Sequence, residues 1–101
     1  MLVQLRLLEY EVQSAPPIKD SGNDLIAIKG EVVKFIQVKT EGRQRNLPKI
    51  YHIVAIVDFK YDNEGKILLD ESEIYFINKG QKIKEKQKLT RKLANDIWSP
   101  L

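Results

Sequence analysis

An acid, an amide and an amine are spaced in this chain so that one hairpin would gather them. Asp24 opens the apolar run 25–28, Lys29-Gly30-Glu31 interrupts it, and Gln37 and Lys39 close the second run, 32–38. Side chains on a strand alternate faces, so Gln37 and Lys39 point the same way, and counting back through a turn at Gly30 sets Asp24 opposite positions around 37. A carboxylate can hold Mg²⁺ through one oxygen while waters and phosphate oxygens fill the remaining sites. A bound ion lowers the pKa of its water and polarises a phosphoryl group. A neighbouring ammonium orients that water or stabilises developing charge. An amide oxygen is neutral and therefore a weaker ligand than a carboxylate. The grouping suits phosphodiester hydrolysis, with one ligand position electrostatically weak. The same residues also have a plain reading: Asp24 capping a turn, Gln37 polar at a strand edge, Lys39 solvated at a strand end.

The elements that must position the trio follow from hydrophobic period. Residues 2–9 place Leu2, Leu5 and Leu8 on one side with Val3 and Leu7 adjoining, a short helix. Residues 10–14 alternate weakly and predict a short strand. Ala15-Pro16-Pro17 ends it, and 19–23 continue the loop. The runs 25–28 and 32–38 are apolar on both faces, as strands covered on both sides are. Residues 40–49 form a polar connection, and 50–59 are the longest β-like run. Residues 61–65 are a turn, and 67–69 and 74–77 predict shorter, peripheral strands. Leu93, Ala94, Ile97 and Trp98 have helical spacing behind Leu89, with Thr90 as cap and Pro100 as stop. Helix, strands, helix indicate an α/β domain.

At 101 residues the chain holds one domain at most. No apolar run approaches the roughly 18 residues of a membrane span, and no secretory signal is visible, so a membrane partner is not expected. The chain lacks cysteine, which excludes disulfides and thiolate metal sites and fits the cytoplasm; a single histidine excludes a multi-His zinc site. Residues 79–92 carry seven basic side chains against Glu85, a net +6 in a chain of net +3. Such a stretch marks either a polyanion-binding surface or a solvated Lys-rich segment.

The segment 2–40 resembles the core of the PD-(D/E)XK nuclease superfamily, which includes restriction enzymes, Holliday-junction resolvases and some homing endonucleases. The resemblance rests on Gly22-Asn23-Asp24-Leu25-Ile26-Ala27, on the hairpin, on Ile36-Gln37-Val38-Lys39-Thr40, and on the helix-to-strand passage Leu7-Leu8-Glu9-Tyr10-Glu11-Val12. It implies a restriction-endonuclease-like mixed β-sheet of four to five strands, flanked by an N-terminal and a C-terminal helix and forming one domain over 1–101, shortened at its first helix. It further implies an endonuclease that hydrolyses DNA with Mg²⁺ or Mn²⁺ and works as a homodimer. Carried over by position, Asp24 is the metal-binding aspartate, Gln37 stands at the second acidic position, and Lys39 is the catalytic lysine. The backbone carbonyl of Val38 is a further metal ligand. Gln replaces the usual acid, as in some homing-endonuclease-like branches. The glutamate that resolvase-like members carry well upstream would fall at or before Met1. Residues 40–49 are short for the helical crossover that normally precedes the fourth strand.

Arg43 and Arg45, at the mouth of that site, and Lys82, Lys84, Lys86, Lys88, Arg91 and Lys92 are the expected DNA-backbone contacts. The alternative is a catalytically inactive relative that binds nucleic acid or a protein partner, such as a mobile-element accessory factor. His52 and Asp58 border the run 53–57; each reads as structural or, less simply, as part of the site. Asp62, Glu64, Asp70, Glu71 and Glu73 lack the spacing of a calcium loop.

Overall fold

A computed structural model describes residues 2–17, 24–40 and 50–99. It shows an α/β fold with a six-stranded mixed sheet and two helices, α1 (Leu2–Glu9) and α2 (Arg91–Ile97). The strands are β1 (Gln13–Ala15), β2 (Leu25–Lys29), β3 (Val32–Lys39), β4 (Ile53–Asp58), β5 (Glu73–Asn78) and β6 (Gln87–Lys88), and their order across the sheet follows the chain. Every pairing is antiparallel except β3 with β4. A parallel neighbour needs a crossover, and residues 40–52 supply it; 41–49 lie outside the described residues.

The β2–β3 hairpin closes over Gly30 and Glu31. Gly30 sits at φ 62°, the positive value that a primed two-residue turn requires there. Both helices pack on one face of the sheet. Val3 and Leu7 of α1 and Ala94 and Trp98 of α2 join Leu25, Ala27, Ile36, Ile53, Ala55, Val57, Ile74 and Phe76 in one buried cluster. Trp98 lies edge-on to Phe76, and its indole N–H donates to the Ala27 carbonyl at 3.2 Å. The opposite face has its own smaller cluster of Val54, Ile56 and Ile77, against which Tyr51 and Tyr75 pack.

Three local expectations change. The buried face of α1 is Val3 and Leu7, whereas Leu5 and Leu8 are exposed. The rotation is set where the helix ends: Glu11 N–H donates to Leu8 O and Val12 N–H to Leu7 O, so Val12 folds back onto Leu7. This is a Schellman closure, with Glu11 at φ 66° where glycine is usual. The expected strand at 67–69 is only a bridge between Tyr61 and Ile67. Asp62 organises that turn, its Oδ1 accepting from Glu64 and Lys66 N–H. The strand expected at the periphery over 74–77 is buried between β4 and β6, and β6 brings the sheet to six strands rather than four or five. Thr90 caps α2 as expected, its hydroxyl accepting from Leu93 N–H at 3.1 Å.

Candidate functional site

Strand register decides which side chains meet. Leu25 pairs with Ile36, so Asp24, one residue before, stands opposite Gln37, one residue after. Leu25 and Ile36 belong to the helix-covered core. Their neighbours therefore turn to the other face, and Lys39 follows Gln37 there. The structure thus puts Gln37 and Lys39 on the face of Val54 and Ile56, with Asp24 opposite Gln37 at the open end of the hairpin, its carboxylate reaching the β3 backbone.

Asp24 is tied to the strand beside it. Its backbone N–H donates to Ile36 O at 3.1 Å, and its Oδ2 accepts from Val38 N–H at 2.8 Å. His52 N–H donates to Phe35 O, so Phe35, Gln37 and Lys39 direct their backbone groups to β4, and Ile36 and Val38 direct theirs to the β2 side. The Val38 carbonyl consequently leaves β3 on the edge where Asp24 sits. One carboxylate oxygen of Asp24 has no protein partner among the described residues.

Gln37 is buried, at 8 % exposure, and its Oε1 has no hydrogen-bond partner among the described residues. An unsatisfied buried acceptor costs about 1–3 kcal/mol. Asp24, Gln37 and the Val38 carbonyl, neighbours in the hairpin register, carry oxygens of the kind a hard divalent ion takes. Their formal charge is only that of Asp24. Among the described residues no three of His, Cys, Asp and Glu cluster as metal ligands. The donors suit Mg²⁺ or Mn²⁺ in chemical type, and Asp24, Gln37 and the Val38 carbonyl are the groups that would hold it. Lys39 is half-buried and makes no ion pair among the described residues.

The basic residues divide. Lys39 aligns with Ile56, Ile56 with Tyr75, and Tyr75 with Lys88, so Lys39 and Lys88 lie in one row on one face, roughly 14 Å apart at three strand spacings. Lys86 Nζ stands 4.5 Å from the Tyr75 ring centre on that side. Lys88 pairs with Glu73 at 3.3 Å, and Tyr75 O–H donates to Glu73 at 2.9 Å. The tyrosine hydroxyl and then the ammonium hold the Glu73 carboxyl below its usual range. Asp58 is likewise occupied by Lys60, at 2.9 Å, which holds that ammonium above its ordinary value. This Asp58–Lys60–Glu73–Tyr75–Lys88 network was missed in the sequence, although the i, i+2 pairs Asp58/Lys60 and Glu73/Tyr75 were its signal. Arg91 points elsewhere: it donates to the Glu9 carbonyl at 2.8 Å and lies over the Tyr10 ring, joining α2 to the end of α1. Lys82, Lys84 and Lys92 are exposed. Arg43 and Arg45 lie outside the described residues.

His52 is structural. Its Nδ1 accepts from Phe35 N–H at 2.9 Å and extends the β3–β4 ladder by one residue. Burial first, then the Lys34 and Lys79 ammoniums, hold its pKa below the ordinary 6.5. No helix among the described residues is long and apolar enough to cross a membrane. Compared with family models, curated proteins and solved structures, the chain finds no match.

Proposed function

We propose that this domain is a restriction-endonuclease-like nuclease that hydrolyses DNA phosphodiester bonds with Mg²⁺ or Mn²⁺. The observation that carries the reading is the register: Asp24 faces Gln37 across the hairpin, Lys39 follows Gln37 on its face, and the Gln37 amide oxygen is buried without a donor among the described residues. The ion, when bound, supplies Lewis acidity toward the phosphoryl oxygens and a more acidic water. Asp24 provides the charge that holds it, fixed in place by Val38 N–H. Gln37 and the Val38 carbonyl add neutral oxygens. Lys39 orients the attacking water and offsets the charge growing on the phosphate. Lys88 and Lys86, on the same face, follow the DNA backbone, and a homodimer would place one such site on each strand.

A second reading is favoured by the single carboxylate of the trio: the same face binds nucleic acid without cutting it. Nicking of plasmid and branched DNA in Mg²⁺ or Mn²⁺ separates the two. The nuclease reading expects Asp24→Ala and Lys39→Ala each to lower the rate by about 100-fold or more, with both variants folded and still binding DNA. Wild type and both variants equally inert, yet bound to DNA, would leave the second reading standing and end the first.

A further inference from the structure

The connection between β4 and β5, residues 59–72, is a built projection rather than a slack loop. Asp62 Oδ1 accepts from Glu64 and Lys66 N–H. Ser72 Oγ accepts from Lys60 N–H at 3.0 Å and donates to Leu68 O at 2.9 Å, and Arg6 of α1 donates to the carbonyls of Leu69 and Ser72. On this frame Ile67 and Leu69 stay about half exposed, at 48 % and 52 %. Ile67, Leu68, Leu69, Asp70 and Glu71 line a hollow of about 410 Å³. Residues 61–71 hold Asp62, Glu64, Asp70 and Glu71 against Lys66, a net −3. Asp70 and Glu71 make no ion pair among the described residues.

The next connection carries the opposite chemistry. Between β5 and β6 the turn Ile83–Glu85 is closed by Lys82 N–H, which donates to Glu85 Oε2 at 2.9 Å, and by Lys86 N–H, which donates to Ile83 O at 3.1 Å. It leaves Ile83 45 % exposed between two exposed lysines, Lys82 and Lys84. Neither lysine makes an ion pair among the described residues, and neither belongs to the Lys39–Lys88 row. An apolar side chain flanked by two ammoniums is the counterpart of a hollow walled by apolar side chains and two carboxylates, a hollow that would repel nucleic acid. Within one chain the two do not meet, because they leave β5 at opposite ends, roughly 20 Å apart over its six residues. Between two copies they can. A two-fold axis perpendicular to β5 sets each hollow on the other copy's turn, so the contact forms twice and the assembly closes at two.

We propose that the β4–β5 projection is the docking surface for a second copy of this chain, whose Ile83 enters the hollow beside Ile67 and Leu69 while its Lys82 and Lys84 meet Asp70 and Glu71. The proposal gives an interface to the homodimer of the proposed function, and it rests on that part of the reading alone.

Sedimentation equilibrium of the purified protein without DNA is expected to show monomer and dimer in exchange, with the dimer weakening as salt screens its exposed charges. Asp70→Lys with Glu71→Lys places like charges in contact and weakens association by about tenfold or more, and Lys82→Glu with Lys84→Glu does the same. In an equimolar mixture the two double variants present opposite charges at both contacts, so they form the heterodimer although each alone stays monomeric. Recovery on mixing also shows that both are folded. A wild-type chain still monomeric at about 1 mM, a dimer indifferent to both reversals, or no recovery on mixing overturns the proposal. A Lys82 and Lys84 reversal that lowers DNA affinity and leaves the dimer intact assigns those lysines to nucleic acid and overturns it equally. Asp24→Ala leaves the dimer unchanged. A dimer that does not cut DNA therefore counts against the nuclease reading alone, and a monomer that cuts counts against this proposal alone.

Discussion

The two faces of the sheet are built to different rules. On the helix-covered face, β2 to β5 contribute Leu25, Ala27, Ile36, Ile53, Ala55, Val57, Ile74 and Phe76, and the buried indole N–H of Trp98 is satisfied by Ala27 O. On the other face the apolar cluster is limited to Val54, Ile56 and Ile77, and its borders are Asp24, Gln37 and Lys39 at one end and the Asp58–Lys60–Glu73 network at another. Among the described residues each face holds one buried side-chain polar atom without a partner. Ser14 Oγ is on the β1 residue that pairs with Ala27. Gln37 Oε1 is on the strand position aligned with Val54, in the hairpin register next to Asp24. Stability is concentrated on the first face, and unspent polar chemistry on the second.

The hardest test of that division is Trp98→Ala. Removing a buried aromatic side chain from a core costs about 3–5 kcal/mol, and here it also leaves Ala27 O without its indole donor. Urea unfolding should show a loss in that range, whereas Lys39→Ala, on the other face, should change stability by under about 0.5 kcal/mol. Comparable losses from the two substitutions would dissolve the distinction between a structural and a chemical face.

Gln37→Met sharpens the contrast from the other direction. Methionine keeps the length and volume of glutamine and deletes the unsatisfied amide. If the Gln37 oxygen is held unpaired for a ligand, its removal should stabilise the metal-free protein by about 1–2 kcal/mol and lower Mg²⁺-dependent cleavage. A decrease in the midpoint of denaturant unfolding would show that the amide already contributes to the fold, and the argument from its orphaned oxygen would fail.

Much of this arrangement was legible in the sequence because it rests on local periodicity. The hairpin needs only the two apolar runs 25–28 and 32–38 and a glycine between them, and that is enough to place Asp24 opposite Gln37. The capped α2 was legible from Thr90 and the spacing of Leu93, Ala94, Ile97 and Trp98. What escaped depended on long-range contact. Nothing local says which leucines of a two-turn helix face the core; Val12 decides it by folding back on Leu7, through a left-handed residue that is glutamate rather than the glycine that would have announced it. Gln87 and Lys88 form β6 only because Tyr75 and Phe76 offer an edge, and their local sequence is simply basic. His52 read more simply as structural, and its pairing to Phe35 bears that out.

His52 gives a pH test of the helix-side end of the sheet. Its pKa is depressed in the folded protein, by burial and then by Lys34 and Lys79. As pH falls below about 6.5 the unfolded chain takes up the proton first, so the stability held above that value is lost as pH descends toward the folded pKa. Unfolding midpoints should decline through this window, and His52→Asn, whose amide oxygen can still accept from Phe35 N–H, should flatten the decline. An unaltered slope in the variant would assign the acid sensitivity to other groups.

The smallest expected effect lies at Glu11. A non-glycine residue at φ 66° pays conformational strain that glycine does not. Glu11 is exposed and its side chain makes no ion pair among the described residues, so little is lost by its removal. Glu11→Gly should therefore stabilise the protein by about 0.5–1 kcal/mol, read as a higher midpoint in thermal or urea unfolding. Because Glu11 closes α1 over the helix-covered core, the gain should appear with no change in metal-dependent cleavage. A change in cleavage alongside the gain would mean that the position of α1 is transmitted through the sheet to Asp24 and Lys39, and that the two faces are coupled.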